Sequence, residues 1–256
     1  MLEYIDQMNN TIRLAKTPSR IVSLVPSQTQ LLYSLGLDDK VVGITKFCIH
    51  PDVWFRSKDR VGGTKSVSIE KVQALNPDLI FANKEENTKE DIENLRKVAP
   101  VWLSDIANLE DSFDMIESIG EITNRKVEAA LLLEKIKMGF AELSLLKESK
   151  KSIIYFIWNE PGYTAGKGTF IDDMLTKCGL VNAIEESRYP EVPLNLNPEV
   201  VFLSSEPFPF KEKHIELYQK LYPKAIIKIV DGEMFSWYGS KLIESPGYFK
   251  DLISNL

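Results

Sequence analysis

Side chains able to do chemistry are sparse in this 256-residue chain, and the densest group of them is Phe47-Cys48-Ile49-His50-Pro51. It sets one of only two histidines two residues from one of only two cysteines. Imidazole and thiolate both ligate cobalt, iron and zinc. A closed structural zinc site needs about four ligands, however, and no second Cys/His pair occurs; Cys48 and Cys178 are too far apart for a zinc framework. Two readings stay open. One is a loop histidine bonded to backbone beside a half-buried cysteine, and the other is His50 as an axial contact to the metal of a bound chelate. His214, in KEKHIELYQ, reads as an exposed helix residue.

A second group is aromatic. Phe47 and Trp54 in the first half, with Trp158, Tyr163, Phe208, Phe210, Phe235, Trp237 and Tyr238 in the second, fall in or beside segments that read as loops. Flat rings suit a flat macrocycle, because stacking and apolar burial need no directional partner while Tyr and Trp keep a polar edge. Ordinary core packing competes for each of them, so about half are expected to face ligand. Ser27 opens a segment in which Ser27 and Gln30 fit a capping box, and it is expected to cap that helix and to touch ligand incidentally. Glu85, Glu86, Glu160 and Glu233 fall in loops as well. Acidic loop residues are usually solvated, and of these Glu85 is retained as a candidate contact.

Enzymatic patterns fit poorly. GYTAGKGTF is one residue short of a P-loop and has Gly168 where Ser or Thr is required; no GxSxG or GxGxxG occurs. Cys48 and His50 as nucleophile and base lack an orienting third group. The expectation is a chain with no catalytic residues and no built-in cofactor.

The elements that must position these residues follow an α/β rhythm. Leu75-Asn76-Pro77-Asp78 runs into LIFA, and Leu196-Asn197-Pro198-Glu199 runs into VVFL, 121 residues later. Each copy reads as a helix end, an Asn-Pro break and a short strand buried on both faces of a parallel sheet. Two similar lobes are the inference, with a cleft between them. RIVSLV, VVGIT, LIFA and VWL supply strands of the first lobe, and SIIYFIW, VVFLSS and AIIKIV those of the second. Gly36 supplies a helix stop, and Asn9-Asn10 a turn between strand-like flanks. From Arg125 to Lys147 no Pro appears while Leu132, Ile136, Phe140 and Leu143 recur at helical spacing, which predicts one helix of roughly 35 Å. Gly139 inside it costs about 1 kcal/mol relative to Ala and weakens the case for its continuity. The expected organisation is an N-terminal lobe at 1–124, a bridging helix at 125–148 and a C-terminal lobe at 149–256.

Composition excludes several classes. With 44% hydrophobic and 27% charged residues the chain is globular, and at a formal charge of −6 without a basic cluster it does not read as a nucleic-acid binder. Glu3, Asp6, Arg13 and Lys16 interrupt any apolar run near the start, and no 18-residue apolar run follows. The sequence as written therefore reads as cytoplasmic and not membrane-inserted; a trimmed chain would instead belong in the periplasm or on a lipid anchor.

The run RIVSLVPSQTQLLYSLGL, then VVGIT, SIEKVQALNPDLIFA, the long helix and YFIWNEPGYTAGKGTFIDDMLTKCGLVNAI resembles the class III substrate-binding proteins of ABC importers, across nearly the whole chain. Within them it is most similar to the cobalamin-binding branch of helical-backbone metal receptors. The resemblance implies two Rossmann-like lobes joined by one rigid helix, and a metal chelate held between them. A corrinoid leads, with a ferric siderophore or haem next, and the protein is expected to be a monomer. It also implies docking on a permease through a Glu on each lobe. Glu70 matches the first position, whereas the segment from Tyr189 to Asn197, with Pro190 and Pro193, is too short for the second docking helix; Glu191 or Glu199 would have to substitute. Relatives carry a Trp before the docking helix where this chain has Gly63-Thr64-Lys65, so Thr64 and Lys65 stand as candidate contacts there. The alternative is a cytoplasmic enzyme or chelate-handling protein on the same fold, uncoupled from an importer.

Overall fold

The alternation of short apolar runs with capped polar helices resolves into two α/β units in a computed structural model that describes residues 1–146 and 149–256. The first unit comprises residues 1–105, 110–134 and 238–240; the second comprises 106–109, 135–237 and 241–256.

In the first unit, β1 (Leu2–Ile5) and β2 (Thr11–Leu14) form an antiparallel hairpin with Asn9 at φ 59° in its turn, the conformation that adjacent asparagines tolerate. There follow β3 (Ile21–Ser23), α1 (Pro26–Ser34), β4 (Val41–Ile44), α2 (Asp52–Ser57), β5 (Asp59–Arg60), the short hairpin β6 (Gly62–Gly63) and β7 (Ser66–Val67), α3 (Ile69–Ala74), β8 (Leu79–Asn83), α4 (Lys89–Leu95), β9 (Val101–Ser104) and α5 (Leu109–Ile122). Strands β5-β4-β3-β8-β9 make one parallel sheet in that order. Every residue of β8 is buried, as an apolar run covered on both faces requires. Val22, Leu24, Val72, Ile80, Leu95 and Val101 form the core on one side of it.

Helix α6 (Lys126–Ser144) is counted with the first unit through Glu134 and with the second from Lys135. It is shorter than the 125–147 span read from the sequence; Lys147 and Glu148 lie outside the described residues. Gly139 does not break it. A Cβ placed there would stand 3.0 Å from Pro246, so the missing side chain lets a later helix pack against α6. Its cost in propensity is set against close packing.

The second unit contains β10 (Ser152–Phe156), α7 (Phe170–Lys177), β11 (Val181–Asn182), β12 (Val200–Ser204), α8 (Glu212–Leu221), β13 (Ile226–Val230), α9 (Gly232–Ser236), a 3₁₀ turn (Ser240–Ile243) and α10 (Ser245–Ile253). Its parallel sheet runs β11-β10-β12-β13. Ile154, Phe156, Val201, Leu203, Phe210 and Tyr218 pack beside it.

The duplicated phrase has a physical role that sequence reading missed. Asp78 accepts hydrogen bonds from the backbone N–H of Ser19 and Arg20 at 2.8 and 2.9 Å, pinning the entry to β3. Glu199 accepts from the N–H of Ser152 at 3.0 Å and pins the entry to β10. The acid after Asn-Pro thus ties each new strand to its sheet neighbour. Only the first copy ends a helix, with Asn76 left-handed at φ 45°; the second follows a turn, which corrects the expectation of a helix before both. Asp78→Ala is expected to cost about 1–2 kcal/mol in urea unfolding, since both donors gain access to water in compensation. An unchanged midpoint would show that the sheet pairing alone fixes β3.

Ser68, Thr88 and Thr169 cap their helices, each hydroxyl accepting from the N–H three residues on. Ser27, the cap expected from the sequence, does not. Val25 is the N-cap of α1, no side chain caps it, and Ser27 lies within the helix, because Pro26 with its fixed φ already takes the first turn. Gly36, at φ 72°, closes α1 as expected.

Candidate functional site

Since both large sheets are parallel, all strands of a sheet end on the same edge, and open α/β sheets place ligands beyond those carboxyl ends. The candidate residues sit in loops and helix starts leaving those edges.

In the first unit, three loops are tied together by buried amides. Lys46 N–H donates to Gly62 O at 2.8 Å, joining the loop after β4 to the β6–β7 hairpin. Asn87 Nδ2 donates to Thr64 O at the hairpin tip at 2.8 Å, and Asn87 Oδ1 accepts from Asn83 N–H at 2.9 Å. Asn83 Oδ1 accepts from the N–H groups of Glu85 and Glu86 at 2.8 and 3.1 Å, while its Nδ2 donates to Ser104 Oγ at 2.9 Å. Gln28 Nε2 donates to the same Ser104 hydroxyl at 2.6 Å, which brings α1 into the network. Sequence reasoning did not single out Gln28, Asn83, Asn87 or Ser104. The available signal was a polar residue closing each of two apolar strands.

On this framework Phe47 is 52% exposed, with Lys46 Nζ 5.0 Å from its ring centroid. Thr64, Glu85, Glu86 and His50 are half-buried and Lys65 is exposed. Beneath them the structure corrects the cysteine reading. Cys48 is fully buried, its sulfur 3.1 Å from the hydroxyls of both Thr29 and Thr45. Burial pushes the thiol up, and the two hydroxyls oppose this only in part, so it stays protonated at neutral pH and supplies no thiolate. Trp54 belongs to the core: its ring meets Tyr33 edge-on at 5.3 Å and its Nε1 donates to Asp38. Ser27 is buried as well. Among the described residues no group of three or more His, Cys, Asp or Glu side chains is arranged to hold a metal ion.

In the second unit, Trp158, Tyr163 and Phe208 are brought together. The N–H groups of Ile157 and Trp158 both point at Tyr163 O, at 2.9 and 3.3 Å, and Phe208 N–H donates to Ile157 O at 3.3 Å. Trp158 is 42% exposed and meets Phe208 edge-on at 5.6 Å. Phe210 and His214 support them from below. His214 is buried rather than exposed, 5.5 Å from Phe208 and 5.4 Å from Phe210, with its Nδ1 accepting from Lys211 N–H at 2.8 Å. Its helix turns inward there because two aromatic rings offer the imidazole more buried contact than water does. Phe235 is in the core, and Trp237 is buried with Nε1 donating to Glu206 at 2.9 Å. Tyr238 is buried and counted with the first unit.

Glu70 is exposed in the first turn of α3, and the segment from Tyr189 to Asn197 contains no helix. A depression of about 820 Å³ between residues 9–13 and 96–101 holds none of the candidate residues. Among the described residues no helix is long and apolar enough to cross a membrane.

Against known proteins, the periplasmic binding protein family profile matches residues 21–213. An uncharacterised ABC transporter substrate-binding lipoprotein of Bacillus subtilis, YvrC, is 29% identical over 211 residues, covering 77% of this chain and 67% of that one. The vitamin B12-binding protein of Vibrio cholerae is 27% identical over 194 residues, 72% and 70% of the two chains. The crystal structure of the periplasmic vitamin B12 binding protein BtuF of Vibrio cholerae superposes with a TM-score of 0.79 at 20% identity, covering 93% of this chain and 98% of that one. The periplasmic heme-binding protein RhuT of Roseiflexus sp. gives 0.78 at 17% identity, over 92% and 97%. These structural likenesses show a shared fold.

Proposed function

This chain belongs to the periplasmic binding protein family, and from that premise we propose that it captures a metal chelate of the corrinoid class for an ABC importer. That it is a substrate-binding protein follows from the family; the chelate is our reading. The observation that carries it is a solvent-facing ring at the carboxyl edge of each sheet, Phe47 in one unit and Trp158, edge-on to the half-buried Phe208, in the other. Exposed rings held rigidly by backbone bonds offer a flat chelate large apolar contact at little cost in conformational freedom. The vitamin B12-binding relatives favour a corrinoid. Haem is second, supported by the heme-binding structures of like fold.

The contacts proposed are Phe47, Thr64, Lys65 and Glu85 in the first unit and Trp158, Tyr163 and Phe208 in the second, with His50 the one candidate to reach a metal centre. Glu70, exposed on α3, is proposed to meet the permease. The relatives include a lipoprotein, and on their model we place the protein outside the cytoplasm, in place of the cytoplasmic reading. The uncoupled-enzyme alternative is not favoured, because the relatives are binding proteins.

Visible absorbance tests the reading. Cyanocobalamin, haemin and a ferric hydroxamate are each mixed with the protein and passed through gel filtration, and the corrinoid bands are expected to elute with the protein. Co-elution of haemin alone would move the assignment to haem. Retention of none of the three would overturn the chelate reading.

A further inference from the structure

The loop after β8 places two carboxylates where the strand Leu79–Asn83 ends, and they are not equivalent. The backbone N–H groups of Glu85 and Glu86 are both fixed by Asn83 Oδ1, so the turn that aims the two side chains is set by a fully buried amide. The carboxylate of Glu86 is half-buried, yet no hydrogen bond or ion pair within 4 Å reaches it among the described residues. A carboxylate withdrawn from water without a donor is costly to hold, and such a group in a ligand-facing loop calls for a partner that is not part of the chain.

The groups facing it are Lys65 from the β6–β7 hairpin, Glu85 from its own loop and Cys48 from the loop after β4. Lys65 is exposed and attracts it, Glu85 repels it, and the protonated Cys48 thiol adds no charge. The same three loops carry the exposed Phe47 ring. Glu86 therefore belongs with Phe47 to one cluster of loops, held together by the Lys46–Gly62 and Asn87–Thr64 bonds.

We propose that Glu86 is a specificity-determining ligand contact, which accepts hydrogen bonds from amide or ammonium groups on the periphery of the bound chelate and repels chelates that present carboxylates there. This deepens the chelate reading and rests on it. Burial, with Glu85 adding to it and Lys65 opposing, holds the Glu86 carboxyl above the usual carboxylate range. The sign of the pH effect follows. A donor-bearing ligand prefers the ionised form, so its affinity rises as pH rises through the folded pKa. In the empty protein ionisation is a penalty, so the stability present below the unfolded pKa near 4.5 is lost as pH rises through the raised value.

The test compares wild type, Glu86→Gln and Glu85→Gln by visible titration with cyanocobalamin, whose periphery carries amides, and with haemin, which carries two carboxylates, between pH 4.5 and 8. Glu86→Gln is expected to weaken cyanocobalamin several-fold at pH 8, to strengthen haemin, and to flatten the pH dependence of both. Its melting temperature without ligand should rise at pH 8 and stay level at pH 4.5, which shows that the variant is folded. Glu85→Gln should change these affinities less. Wild type that binds a chelate, with Glu86→Gln indistinguishable from it in affinity and pH profile, overturns the inference and leaves the chelate reading standing. Wild type that binds neither probe at any pH overturns the inference, and if a ferric hydroxamate is not retained either, the chelate reading falls with it.

Discussion

Trp158→Ala is expected to weaken chelate binding by about 2 kcal/mol or more, roughly thirty-fold in Kd, as loss of a stacked ring at a binding hot spot does. The ring is 42% exposed, and among the described residues the ring it meets is Phe208, edge-on, so ring surface remains for a ligand. The loop that holds it is fixed by backbone bonds from Ile157, Trp158 and Phe208, none of which involves the indole. Truncation should therefore leave the fold and the melting temperature nearly unchanged. Trp237→Ala is the contrast: its ring is buried and its N–H serves Glu206, so it should lower stability before it alters affinity. A visible titration beside a thermal melt separates the two, and equal Kd values for wild type and Trp158→Ala would remove Trp158 from the site.

Phe235→Ala should cost about 3–5 kcal/mol in unfolding free energy, the range for deleting a buried aromatic ring. Phe235 packs within 5.2 Å of Tyr155, 5.9 Å of Phe202 and 4.6 Å of Phe249 by ring centroid, and no water reaches it. Collapse around the hole is limited because Tyr155 is itself held through its hydroxyl by Ser204. Denaturant unfolding measures the loss. Binding measured where the variant is still folded should match wild type, and a loss of affinity without a loss of stability would return Phe235 to the ligand surface.

Sequence alone determined the elements whose cause is local. The apolar runs of β8 and β12 are buried along their whole length, as continuous hydrophobicity without alternation requires. Gly36 ends α1 because only a residue free at positive φ closes the helix there without strain, and Ser68, Thr88 and Thr169 start their helices because a hydroxyl reaches the N–H three residues on. The order of those elements, with the quoted runs, was enough to indicate the family. Ser27 fits a capping box in sequence yet sits inside α1, since its neighbour Pro26 claims the first turn. That competition is also local, but two valid local rules conflicted.

Which aromatic rings meet solvent was decided by tertiary structure. Loops have no periodicity to mark an inner and an outer face, so Trp54 and Phe47, seven residues apart, look alike in sequence and end in the core and on the surface. Partners distant along the chain set the outcome: Asp38 for the Trp54 indole and Thr29 for the Cys48 sulfur. The network from Gln28 through Ser104 and Asn83 to Asn87 joins three segments that share no motif, and its amides became visible only when parallel pairing brought the carboxyl ends of β8 and β9 side by side. Local sequence fixes where a helix or strand begins and ends, because the interacting groups are three or four residues apart; burial and hydrogen-bond partnership in loops depend on groups tens of residues away, and only the assembled sheet brings them within reach.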